Sequence, residues 1–149
     1  PEEVAGVLGH EFGHTVNRDP TRLSLRSAGS AGLLGLVFGD FAGGFAALAL
    51  AEALVNANYS QEAETQADLF SHELFARAKL PSKSFANFFK QLRMEHGDDG
   101  GLLSHISSHP DIEGRQNAAI AADIIGDGEF VPVLNATEWA ALRRICSDK

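Results

Sequence analysis

Hydrophobic and polar positions recur along this chain with a helical period almost throughout. Residues 2–18 read as one helix, with Val4, Val7, Leu8, Glu11 and His14 in one stripe and Phe12 to its side. Pro1 suits a first turn, and Glu2 and Glu3 suit the positive end of the helix dipole. Asp19-Pro20 marks a break, or the cap of a following helix. Residues 28–51 form an apolar, glycine-rich run whose only charge is Asp40. Gly35, Gly39 and Gly43 repeat at four-residue spacing, which lets another helix approach closely. The run is long enough to span a bilayer. Three readings stay open: a buried or glycine-kinked helical hairpin, an apolar surface facing membrane or substrate, and a transmembrane span. Asp40 at mid-run and six glycines count against the last.

The second half continues the pattern. Residues 58–79 predict a long helix, with Asn58 and Gln61 as a capping box. Leu80-Pro81-Ser82 breaks it, and Ser82 is placed to cap the next. Residues 83–96 carry Phe85, Phe88, Phe89, Leu92 and Met94 at amphipathic spacing, which reads as core, not as a ligand-binding box. Residues 97–101 read as a loop and 104–110 as extended or irregular. Residues 111–125 predict another helix, and Gly126-Asp127-Gly128 a turn. Asn135 and Glu138 predict a capping box for a last short helix through Cys146, with Trp139, Leu142 and Ile145 inward. Strand signal is confined to Phe130–Leu134, and no internal repeat is present. The expected fold class is mainly α.

Composition narrows this further. At 149 residues, with 44% hydrophobic and 21% charged content, the chain reads as one globular domain over 1–149 with a real core. A net charge of -8 argues against nucleic acid as the main partner. Cys146 is the only cysteine, so neither an internal disulfide framework nor a cysteine-based zinc site is available. The chain begins at Pro1 and its only methionine is Met94, so the start reads as the cut end of a longer parent.

The chemistry begins at His10-Glu11-Phe12-Gly13-His14. On a helix, residues four apart share a face, so both imidazoles can address one metal while Glu11 reaches a water on it. With 6 histidines and 11 glutamates the pattern arises by chance about 0.02 times. A hydrolytic zinc needs a third protein ligand and one open position. Metzincins take the third from a histidine six residues on, in HExxHxxGxxH. Asn17 and Pro20 stand where that motif needs glycine and histidine, which excludes the class. A carboxylate on a second helix is the alternative. Glu64 supplies one, with Asp68 one turn later to accept a hydrogen bond from a ligating histidine. Glu62 competes with Glu64 but lies two residues away and faces elsewhere.

His10-Glu-Phe-Gly-His14, Glu64-x-x-x-Asp68 and His109-Pro110-x-x-x-x-Arg115 occur in this order over residues 4–115. Together they resemble the three signatures of the M48 family of zinc metallopeptidases. That family includes the CAAX prenyl-protease type, the membrane-bound heat-shock protease type and periplasmic quality-control proteases. The resemblance implies a gluzincin arrangement with one zinc ion, Glu64 as third ligand and polypeptide substrates. It also implies an upstream strand segment, absent here, that lines the cleft, and a cell-envelope location, membrane-attached or periplasmic. His109 either donates to the transition-state oxyanion or swings onto the metal and blocks it; a loop histidine held by Pro110 is the plain alternative. Arg115 either orients that loop, binds the oxyanion or forms an ordinary salt bridge. His72, His96 and His105 match no motif and read as structural or surface residues. Tyr59, the only tyrosine, is free to approach the site.

The expected function is zinc-dependent peptide-bond hydrolysis with Glu11 as general base. The alternative is a zinc-binding chaperone-like or interaction module without turnover. A structural zinc is the weakest reading, because such sites are usually four-coordinate and cysteine-rich.

Overall fold

A computed structural model describes residues 1–38, 44–96, 112–126, 128 and 130–145. Within them run α1 (Glu2–Asn17), α2 (Asp19–Phe38), α3 (Gly44–Ala78), α4 (Lys83–His96), α5 (Ile112–Ala121) and α6 (Ala136–Arg144). No strand occurs among the described residues, so the mainly α class holds; the weak signal at Phe130–Leu134 leads to irregular backbone with Val131 and Val133 exposed.

α1 packs chiefly on α3 and also on α4, while α4 carries α5. The face α1 buries is centred on its glycines, and of the apolar stripe only Val7 packs inward, against the α4 core. Gly6, Gly9, His10 and Gly13 are buried, whereas Val4, Leu8, Phe12 and Val16 stand exposed. The physical reason is distance. A Cβ at Gly13 would lie 2.7 Å from the Ala67 Cα and 2.9 Å from its carbonyl oxygen, and one at Gly9 would lie 2.8 Å from the Ser71 hydroxyl. Ser71 donates that hydroxyl to the Gly6 carbonyl across the same seam at 3.1 Å. Only glycine lets the α1 backbone come so close to α3, and that closeness brings His10 and His14 up to Glu64 and Asp68.

This fixes one expected result. Alanine is intrinsically better than glycine inside a helix by about 1 kcal/mol. At Gly13 the overlap is with backbone, which cannot rotate away, and overpacking of this kind costs about 1–3 kcal/mol. Gly13→Ala is therefore expected to lower the thermal midpoint, and a midpoint above that of the parent would show that the seam is loose.

α1 ends where Arg18 enters the left-handed region (φ 58°), its N–H meeting the His14 and Thr15 carbonyls. The chain turns there and α2 starts at Asp19. Residues 28–38 of the apolar run belong to α2, and 44–51 open α3. Gly29, Gly32 and Gly35 face open space, and Leu33, Leu36 and Leu50 are exposed, so these positions are not a buried core. Asp40 lies outside the described residues. No helix among the described residues is long and apolar enough to cross a membrane.

α3 starts at Gly44, so Asn58 and Gln61 are interior helical positions and not a capping box. Burial of its C-terminal half against α1 overrides the local start signal. α3 ends with Lys79 left-handed (φ 56°), Lys79 N–H on the Ala76 carbonyl and Leu80 N–H on the Phe75 carbonyl, followed by Pro81. α4 then begins directly after Ser82.

The aromatic stripe of α4 is core, as its spacing predicts. Phe85 and Phe89 are buried with Ala86 and Ala119, and Phe88, Val7 and Ile112 pack against them. Met94 departs from the prediction and is exposed, one turn past the end of that contact. The predicted helix at 111–125 ends at Ala121. The Asn135–Glu138 capping box is present in both directions. The helix it starts buries no residue, and Leu142 and Ile145 are exposed against expectation.

Candidate metal centre

Three side chains converge between α1 and α3. The ring atoms His10 Nε2 and His14 Nε2 are 3.0 Å apart. Glu64 places Oε2 3.3 Å from His10 Nε2 and Oε1 3.2 Å from His14 Nε2. All three donors lie within 4.8 Å of one another. Ligands about 2.0–2.1 Å from a tetrahedral zinc are separated by about 3.3–3.4 Å, so the spacing suits a small divalent ion.

The outer nitrogens test this fit independently. A ligating imidazole needs its second nitrogen held so that the first presents a lone pair. His10 Nδ1 meets Asp68 Oδ1 at 2.8 Å, and His14 Nδ1 meets Asp19 Oδ2 at 2.8 Å. Both rings thus turn Nε2 towards Glu64. Asp68 stands where the sequence spacing puts it. Asp19 was read from sequence only as a helix break or cap; its one signal is an acid five residues after His14.

Arg115, from α5, ties the carboxylates together. Its Nε and Nη2 donate to Asp68 at 2.8 and 2.9 Å, and Nη1 donates to Glu64 Oε2 at 2.9 Å. The guanidinium is buried and lies over the Phe89 ring, 4.8 Å from its centroid. Of the readings open for Arg115, this geometry supports the ion pair. The α4 stripe forms the floor on both sides: Phe85 packs 6.0 Å from the His10 ring, and Phe89 supports Arg115.

Electrostatics follow from this network. Burial works against a charged His10, but hydrogen bonds to Asp68 and Glu64 outweigh it and hold the pKa above the ordinary value. His14 is raised to about 9, first by its hydrogen bond to Glu64 and then by Asp19, against partial burial. Burial would raise Asp68, yet the hydrogen bonds from His10 and Arg115 leave its carboxyl below the usual range. His72 sits outside the cluster, lowered by burial, with Nε2 unpartnered among the described residues. It is a core residue against Phe85.

Glu11 is exposed, one residue from His10, and takes no hydrogen bond or ion pair from its carboxylate among the described residues. It is therefore open to solvent. His105 and His109, with the whole segment 104–110 read as extended or irregular, lie outside the described residues.

Two imidazoles from one helix and a carboxylate from a second, with an acid behind each imidazole, are a donor set that could hold one metal ion. The model of peptidase family M48 matches residues 1–122, and the chain belongs to that family. It is similar to metalloprotease LoiP of Escherichia coli (strain K12), 28% identical, the match covering 72% of this chain and 44% of LoiP. It is likewise similar to metalloprotease YcaL of the same organism, 30% identical over the same shares. The chain thus spans less than half the length of these relatives. No solved structure gives a significant match.

Proposed function

We propose that this chain carries the catalytic metal site of a zinc endopeptidase acting on polypeptides. The observation that carries the reading is the convergence of His10, His14 and Glu64, each histidine backed by its own carboxylate. Zinc held by these three would supply Lewis acidity, polarising the scissile carbonyl and bringing a water toward ionisation at neutral pH. Glu11 takes the proton of the attacking water and passes it to the leaving amine. Asp68 and Asp19 fix the ligating tautomers, and Arg115 pairs with both Glu64 and Asp68 in a buried place. His109 completes the reading as a donor to the oxyanion, on the strength of its motif alone.

The test is twofold. The purified chain should take up one zinc, and casein cleavage should disappear with a chelator and return with zinc. Glu64→Ala should reduce zinc content; unchanged stoichiometry would move the third ligand elsewhere. Stoichiometric zinc with no cleavage of any polypeptide would leave a binding module instead.

A further inference from the structure

The two imidazoles are held by unequal devices. Behind His10, Asp68 is gripped at both oxygens by Arg115. Behind His14, Asp19 comes from the first residue of α2, reached through the left-handed turn at Arg18. Asp19 is 8% exposed, and its Oδ2 meets His14 Nδ1 at 2.8 Å. Its other oxygen accepts the Tyr59 hydroxyl at 3.3 Å, from α3. The Tyr59 ring in turn lies 5.0 Å from the Arg26 guanidinium of α2. Burial, followed by the Asp19 charge, raises the Tyr59 pKa, which keeps the phenol a proton donor.

From this arrangement we infer that Asp19, steadied by Tyr59, is the positioning residue of the second metal-binding imidazole. The inference rests on the metal centre proposed above. With Asp19 accepting from Nδ1–H, the Nε2 lone pair is left for the ion and the ring cannot flip. Tyr59 holds the far oxygen so that the carboxylate keeps its aim. A merely local role exists for comparison: an acid in the first turn of α2 favours the helix through its dipole. Serine and asparagine both remove that charge, but only serine is too short to reach His14, so comparing the two variants separates the roles.

Zinc affinity is read by competition with a chromogenic chelator, on the full chain, with helix content followed by circular dichroism. Asp19→Ser is expected to weaken zinc about 10- to 100-fold at unchanged helicity. Asp19→Asn, which keeps an acceptor for Nδ1–H, should recover part of that loss. Tyr59→Phe should weaken zinc about threefold in the parent and not at all in the Asp19→Ser background, because its hydroxyl acts through Asp19. Cobalt substituted for zinc should show a shifted visible band in Asp19→Ser. Parent-like affinity and cobalt spectrum in Asp19→Ser would overturn the inference. Equal losses in the Ser and Asn variants accompanied by lost helicity would also overturn it, in favour of the local role. A parent that takes up no zinc, or a His14→Ala variant that binds as well as the parent, would instead remove the metal centre itself.

Discussion

Glu11→Gln is expected to keep stoichiometric zinc and lose nearly all peptidase activity. The amide has the shape of the carboxylate but cannot accept a proton, and general-base assistance contributes about 10²–10⁴-fold to rate. The proposed zinc ligands do not depend on this side chain: Glu11 is exposed and makes no bond to His10, His14 or Glu64. The loss should therefore fall on kcat with metal content unchanged. A clean preparation of the variant that cleaves casein at the parent's rate would refute Glu11 as the base. Equal loss of zinc and activity would place Glu11 in the metal's support instead.

Arg115→Met is the second large effect, and it is read in stability. The substitution keeps the apolar stem over Phe89 but removes the cation shared by Glu64 and Asp68, both almost fully buried. Breaking a buried pair by deleting one partner costs about 3–5 kcal/mol, a large part of the roughly 5–15 kcal/mol that holds a domain folded. The pH response follows from the sign of the Asp68 shift. Its folded pKa lies below the ordinary carboxylate value, so its contribution is complete above that ordinary value and is lost as pH falls through the lower one. With Arg115 gone the folded value rises, and acid unfolding should begin at higher pH than in the parent. Urea denaturation and a pH series by circular dichroism measure both; an unchanged urea midpoint would mean that the guanidinium is dispensable to the fold.

Much of the site was legible because its chemistry is written in short helical spacings. His10 and His14 are four apart, as are Glu64 and Asp68, and a helix turns each pair to one face whatever else the chain does. The Phe85–Phe89 stripe was legible for the same reason. Asp19 was not. Its contact with His14 depends on a left-handed residue at Arg18, a conformation that the side chain there does not announce. The buried face of α1 was not legible either, because glycines carry no hydrophobic signal. Their role is visible only once α3 lies against them. Nor does a capped helix start at Asn58, since pairing with α1 and α2 carries α3 through that position.

The sequence by itself therefore determined the mainly helical class, the family, and the candidate donors His10, His14 and Glu64, because periodicity and motif order need no partner to be read. The tertiary structure decided what those residues do to one another. Gly9 and Gly13 let two helices close to backbone contact, and at that distance the two halves of the site meet. Arg115 moves from an open set of roles to a buried clamp on two carboxylates, and Asp19 from a helix start to the partner of His14. Hydrogen bonds between elements depend on separations of a few tenths of an ångström, which only packing sets.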